Sequence, residues 1–199
     1  MAYGGMYDQL GGGFARYSVD PYWKIPHFEK MLYDNAQLIS VFSIFDFLNK
    51  STKNEFLVQQ TIDYWLELSE KNHQLFPASV DADNKDGEGA YYVFKKSEIN
   101  ENLNEQEQNY CKSYFNMTHS MLWENNWHIH RTTYDNSDKA KKIIFKLKKI
   151  RKNKSFPAID NKAICSWNCM MVNGLLDASI AYLDCPYWEQ SPKNAKLKK

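Results

Sequence analysis

A mainly α-helical fold built from helical hairpins is what the sequence predicts, on three observations. From about residue 29 to residue 48, Leu38, Val41, Phe42, Phe45 and Leu48 follow helical spacing, while Ile39, Ile44 and Phe47 make other faces apolar too. The next segment has one narrower stripe: Leu57, Thr61, Tyr64, Trp65 and Leu68. A third run, from S166-W-N, opens like the first: an aromatic, an Asn and an apolar stretch recur when L32-Y-D-N-A-Q-L-I is set against C165-S-W-N-C-M-M-V. A helix apolar nearly all round is buried nearly all round, and a one-sided helix faces solvent. The first two segments therefore read as the inner and outer elements of one hairpin, and the third as the inner element of another. A chain of 199 residues with 43% apolar content has enough material for one globular domain with a sizeable core.

Taken in order, the chain opens on a glycine-dense stretch. Five of its eight glycines lie between residues 4 and 13, in a pattern unlike the nucleotide-binding glycine loops. The stretch reads as a tight turn closing onto a core. T52-K-N-E55 has the form of a capping box and should start the second helix. The acidic loop D81-A-D83-N84-K-D86-G87-E88 and the strand-like run A90-Y-Y-V-F94 break the helical pattern, giving a short β-hairpin near residues 75–95. A further helix begins near Ser97. The polar, aromatic-rich stretch 104–135 has no assignable period. Residues 139–154 carry nine basic residues around an apolar stripe of Ala140, Ile143, Leu147 and Ile150, an amphipathic helix with a basic outer face. The domain is expected to span residues 1–185, followed by a loose, polar, Lys-rich tail over 186–199.

Composition excludes several classes of function. A net charge of +1 argues against an electrostatic binder of nucleic acid or membrane. The basic helix lacks interleaved aromatics, so a solvated surface is its simpler reading. No apolar run approaches the roughly 18 residues a membrane span needs, and no secretory signal pattern opens the chain. The four cysteines, Cys111, Cys165, Cys169 and Cys185, contain no C-x-x-C pair and read as reduced thiols, Cys165 and Cys169 in the core. A cytoplasmic protein without metal or cofactor is expected. Aromatics, at 15%, favour pockets lined by rings.

The densest chemistry lies in R16-Y17-S18-V19-D20 and P26-H27-F28-E29. Pro26 cannot sit inside a helix, so His27 and Glu29 should occupy a first helical turn, where the dipole disfavours imidazole protonation. Together they would form an acid/base pair for proton transfer on a sugar or carbonyl substrate; otherwise they tie down the glycine loop. Asp81 and Asp83 suit either a carboxylate pair in a pocket or an ordinary polar turn, and the loop fails as an EF-hand in either register. His128 and His130 would share one face of a strand, with no third zinc ligand in register.

The stretch G-G-M-Y-D-Q-L-G-G-G-F-A-R-Y-S-V-D-P-Y-W-K-I-P-H-F-E-K-M-L-Y-D-N-A-Q-L resembles the signature of the thioredoxin-domain proteins of the spermatogenesis-associated protein 20 type, including the bacterial YyaL group. D81-A-D83 followed by E88-G-x-Y-Y-V-F resembles a second block of that family, and D160-N-K-A-I-C-S-W-N a third. The resemblance implies a partial (α/α)6 toroid, similar to sugar 2-epimerases and six-hairpin glycosidases, whose inner-helix starts line a central pocket. It implies catalytic roles for His27, Glu29, Asp34, Asp81 and Asp83, and substrate binding by Arg16, Tyr17, Tyr33, Asn35, Trp167 and Asn168. The implied activity is sugar epimerisation or isomerisation, and the implied ligand a small sugar. The thioredoxin domain and about half of a toroid are missing, so the competing expectation is a non-catalytic remnant or binding module that meets the missing segments as separate chains. Ala15, Val80, Asn161, Cys165 and Cys169 depart from residues common in the family.

Overall fold

The computed structural model of the protein describes residues 1–118, 122–131, 133, 135 and 137–182. Cys185 and the predicted tail lie outside them. Among the described residues are the helices α1 (Leu32–Leu48), α2 (Glu55–Glu70), α3 (Lys96–Asn102), α4 (Glu105–Tyr114), α5 (Asp138–Lys152) and α6 (Cys165–Tyr182). The strands are two residues each: β1 (Lys30–Met31), β2 (Ser79–Val80), β3 (Asp83–Asn84), β4 (Gly87–Glu88), β5 (Leu122–Trp123), β6 (Asn126–Trp127) and β7 (Ile159–Asp160). The fold is thus mainly helical with a small antiparallel sheet. No described helix is long and apolar enough to cross a membrane. The chain divides into two compact units made of interleaved segments, Met1–Met31 with Ser79–Asp160, and Leu32–Ala78 with the segment from Asn161 onward.

In the helical unit, α1 and α6 pack through small residues. Gly174 approaches α1 so closely that a Cβ there would lie 2.6 Å from the Ala36 carbonyl oxygen and 3.4 Å from the Ile39 side chain. Asp46, fully buried, accepts a hydrogen bond from the Tyr182 hydroxyl at 3.1 Å, and Ser40 donates to the Asp177 carboxylate. Gly174→Ala will force the two helices apart against backbone and cost about 1–3 kcal/mol, read as a lower thermal midpoint by circular dichroism.

The predicted burial of α1 needs correction. Its buried residues are Leu32, Asn35, Ala36, Ile39, Ser43 and Asp46, whereas Val41, Ile44, Phe45, Phe47 and Leu48 are exposed. The face that α6 covers is the one on which small side chains let two backbones come close, not the one with the largest apolar residues. Cys165 and Cys169 are likewise exposed, because α6 turns Met171, Gly174, Ala178 and Tyr182 inward instead. On α2 the expected stripe is buried at Leu57, Thr61, Trp65 and Leu68, with Val58 and Ile62 beside it. The capping box does not form. The Thr52 carbonyl accepts from the Glu55 amide in a turn that precedes the helix, and the Asp46 carboxylate instead takes the Asn54 amide at 2.8 Å and its side-chain Nδ2 at 2.9 Å.

In the other unit, β2 is the centre of a three-stranded antiparallel sheet, with Lys30 opposite Val80 and Ser79 opposite Asp160. β3 and β4 form the predicted hairpin within the acidic loop. The run A90-Y-Y-V-F94 is no strand: Tyr92 and Val93 both donate to the Gly89 carbonyl in a turn, and only Phe94 pairs, with Trp127. The unassigned stretch contains α4, closed by a capping box between Asn104 and Glu107, and the β5–β6 hairpin. A core of Leu10, Phe94, Ile99, Leu103, Phe115, Ile143 and Leu147 joins these pieces. The α5 stripe is buried as predicted at Ala140, Ile143, Leu147 and Ile150, but Arg151 is buried with it.

Candidate functional site

His27 and Glu29 do not start a helix; α1 begins three residues after Glu29. Ser18 bridges Pro26, the Val19 amide donates to the Ile25 carbonyl at 2.9 Å, and the His27 amide donates to the Tyr17 carbonyl at 3.0 Å. These bonds fold residues 17–27 into a hairpin, and β1 then enters the sheet, so the helix-dipole argument does not apply to His27. Asp20 sets the hairpin tip: its carboxylate accepts from the backbone amides of Tyr22, Lys24 and Ile25. Burial opposes ionisation of that carboxyl, and the three amide bonds outweigh it and hold its pKa down. Gly5 receives the tip. Its amide donates to the Trp23 carbonyl at 3.0 Å, and any Cβ at Gly5 would overlap the Lys24 carbonyl oxygen at 1.7 Å.

The hairpin presents His27 to an unpredicted partner. The imidazole Nδ1 lies 3.2 Å from Oε1 of Glu88, with the two side chains 30% and 45% exposed. The Tyr17 ring packs edge-on against the imidazole, centroids 4.7 Å apart. Glu29, nominated as the partner of His27, pairs with Arg16 at 3.4 Å instead. Glu88 sits at the end of the β3–β4 hairpin opposite Asp83. It falls inside the second sequence block, but the carboxylate pair read there was Asp81 and Asp83. Asp81 and Asp83 are both exposed, and Asp81 accepts from the Asp83 amide at 3.3 Å, the geometry of a polar turn.

Behind His27, Phe28 stacks on Tyr92 at 5.6 Å and packs against Trp123 and His128, each at 5.1 Å. Below this aromatic layer lies a buried ion cluster that sequence reasoning missed. Arg151 grips both oxygens of Asp8, at 2.7 and 2.9 Å. Lys30 reaches Oδ2 of Asp8 at 3.0 Å and the Gly12 carbonyl at 2.7 Å. Burial opposes the charge on Asp8, but Arg151 and Lys30 prevail and hold its carboxyl far below the usual carboxylate range. Burial also pulls Lys30 down to about 8 against the attraction of Asp8. The glycine loop is thereby tied to β1 and α5.

His128 and His130 are buried beside this layer, ring centroids 5.2 Å apart, outside any helix or strand. His128 Nε2 lies 2.9 Å from the Gly5 carbonyl. Burial pushes His128 down to about 4 and His130 to about 3.

The remaining nominated residues belong to the helical unit. Tyr33 and Trp167 pack edge to face, centroids 4.8 Å apart. Asn168 bonds both polar groups of Phe76, accepting from its amide and donating to its carbonyl, each at 3.0 Å. Its amide therefore fastens residue 76 to α6. Asn35 is fully buried, and Asp34 lies half-buried in the first turn of α1.

No protein-family model matches the chain. It is 27% identical over 235 aligned positions to the Caenorhabditis elegans protein B0495.5, covering 99% of this chain and 32% of that protein. It is 38% identical over 111 residues to spermatogenesis-associated protein 20 of Mus musculus, and 37% identical over 111 residues to the Homo sapiens protein of that name. Each match covers 53% of this chain and 14% of the relative. The chain is thus homologous to spermatogenesis-associated protein 20 over about half its length, and it spans about a third of the nematode relative.

Proposed function

We propose that the chain is part of an (α/α) toroid of the thioredoxin-domain family, and that the His27 site binds a small sugar and moves a proton on it, as a sugar epimerase or isomerase does. The observation that carries the proposal is the pairing of His27 with Glu88 beside the Tyr17 ring. A carboxylate on Nδ1 holds the proton there and leaves Nε2 as the nitrogen available to a reactant. With an open-chain sugar, Nε2 removes the proton on the carbon next to the carbonyl, and the electron pair delocalises onto the carbonyl oxygen as an enediolate. Protonation of that carbon from its other face by water gives the epimer, and return of the Nε2 proton to the neighbouring carbon, with a proton passing between the two oxygens, gives the isomer. Arg16, held by Glu29, and the half-exposed Tyr17 supply donors and an apolar surface for sugar hydroxyls and ring carbons.

Solvent-deuterium uptake next to the carbonyl, at C2 of aldoses and C1 of ketoses, followed by proton NMR, tests this. The wild-type chain will exchange that hydrogen. His27→Asn will lower the rate by roughly 10²–10⁴-fold, and Glu88→Gln will lower it less. Absence of exchange by the wild-type chain across aldoses and ketoses would sink the proposal. A second reading, a non-catalytic binding module, is favoured by the uncovered apolar sides of α1 and α6. It expects sugars to raise the thermal midpoint with no deuterium uptake.

A further inference from the structure

The outer face of α5 is made of lysines around a single ring. Phe145 stands 70% exposed, and its neighbours one helical turn away on either side, Lys141, Lys142, Lys148 and Lys149, are all exposed. Lys152, two turns on, is exposed too. At 3.6 residues per turn these five lysines lie within about 60° of Phe145, on the side opposite the buried Ala140, Ile143, Leu147 and Ile150. Lys146, Arg151 and Lys154 do not belong to the face, since Glu107, Asp8 and Glu98 hold them. Asp138 meets Lys141 at 3.9 Å with both side chains exposed, and water screens that contact.

Phe145 is an aromatic interleaved among the lysines, against the expectation for this helix. The total charge of +1 is also a poor guide to this face. Of the chain's 25 basic and 24 acidic residues, nine basic and one acidic fall in residues 138–154, which leaves an excess of seven acids elsewhere. Within a Debye length, about 8 Å at physiological salt, a partner responds to the face in front of it and not to the sum. Burying these ammonium groups without counterions is costly, so apolar packing against further chain does not cover them.

We propose that this face of α5 adheres to an anionic lipid surface, with the lysines over the headgroups and the Phe145 ring seated among them. Shape decides between anionic partners. A helix packed on a core by its other side presents a convex ridge, and a ridge meets a flat surface along its whole length. From Lys141 to Lys152 that line is about 16 Å long. A plane laid along it reaches Phe145 at the crest and lysines on both flanks, whereas a single nucleic-acid strand follows one flank. The charges are lysines, mobile point charges suited to a diffuse field, and the one arginine of α5, Arg151, is buried. Each lysine at such a surface strengthens binding about fivefold, and an inserted ring adds to it. The inference rests on α5 alone and is independent of the sugar reading.

Co-flotation with vesicles of phosphatidylcholine containing about a third phosphatidylserine tests it, with pure phosphatidylcholine vesicles alongside. The wild-type chain will float with the anionic vesicles and not with the neutral ones. Raising the salt from about 0.1 to 1 M will release it, as the Debye length shrinks from about 10 to 3 Å. Lys142→Gln with Lys149→Gln will weaken binding about 25-fold, and Phe145→Ser about tenfold. Lys53→Gln with Lys71→Gln removes as much charge from the helical unit and will leave binding nearly unchanged. All these side chains are exposed, and circular dichroism checks each fold. Lys148→Gln with Lys152→Gln replaces the first pair if that variant does not fold. No flotation of the wild type, equal flotation with neutral vesicles, or an equal loss in the Lys53 and Lys71 variant would overturn the proposal. Tighter binding to a single-stranded oligothymidylate than to the anionic vesicles would overturn it too, and would give the face to nucleic acid.

Discussion

Asp8→Ala will destabilise the protein by about 3–5 kcal/mol, the cost of leaving buried charge without its counterion. Lys30 and Arg151 would keep their burial and lose the carboxylate that both of them touch. The amides of Leu10 and Gly11 would also lose their acceptor. For a chain of this size the loss corresponds to roughly 10 °C in thermal midpoint. Lys146→Ala is the control. Lys146 holds Glu107 at 2.7 Å, as short as the Arg151–Asp8 contact, but its side chain is 42% exposed against 6% for Arg151. Water screens the exposed pair, and its loss will cost less than about 1 kcal/mol. Urea unfolding followed by circular dichroism measures both, and equal shifts would show that burial is not what gives the cluster its weight.

The second large effect is acid lability. His128 and His130 have folded pKa values near 4 and 3, below the 6.5 of the unfolded chain. Between those limits the unfolded state binds more protons, so stability falls as pH drops below about 6.5 and is unaffected above it. At pH 5 each histidine contributes a loss of about 2 kcal/mol. Asp8 is no part of this window, since a carboxyl held down in the fold loses its stabilising effect only below its unfolded value of 3.8. The groups facing the pair are Asp8, Arg151, Lys24 and Asp20, with Phe28 against the His128 ring. Urea midpoints at pH 7.5 and pH 5.0 will differ markedly, and His130→Gln will reduce the difference by about half. Matching midpoints in the wild type would refute this account.

What could be read from the sequence depended on contrast between neighbouring residues. The α5 stripe was legible because lysines crowd the rest of the helix and leave one apolar side to be buried. α1 offers no such contrast, since most of its circumference is apolar. Its buried side is chosen by the fit of Ala36 and Ile39 to Gly174, a choice made in another part of the chain. The site follows the same rule. Arg16, Tyr17, His27 and Glu29 stand within one short stretch and were found together. Glu88 lies 61 residues from His27, and no local pattern joins them. The ion cluster was the least visible part, because lysine and arginine read as surface residues, and Arg151 lies 143 residues from Asp8.

Interleaving of the two units has a consequence for biosynthesis. Each unit is split, one into Met1–Met31 and Ser79–Asp160, the other into Leu32–Ala78 and the segment from Asn161. Cutting the chain at any single point within the described residues therefore leaves at least one unit divided between the two pieces. At roughly 5–20 residues per second of translation, Asp8 waits on the order of ten seconds for Arg151 to leave the ribosome. During that interval the glycine loop and β1 have no completed partner, and α1 and α2 have no α6. The nascent chain therefore keeps these apolar surfaces exposed until the segment from Asn161 has emerged, a demand on chaperones that two sequential units would not make.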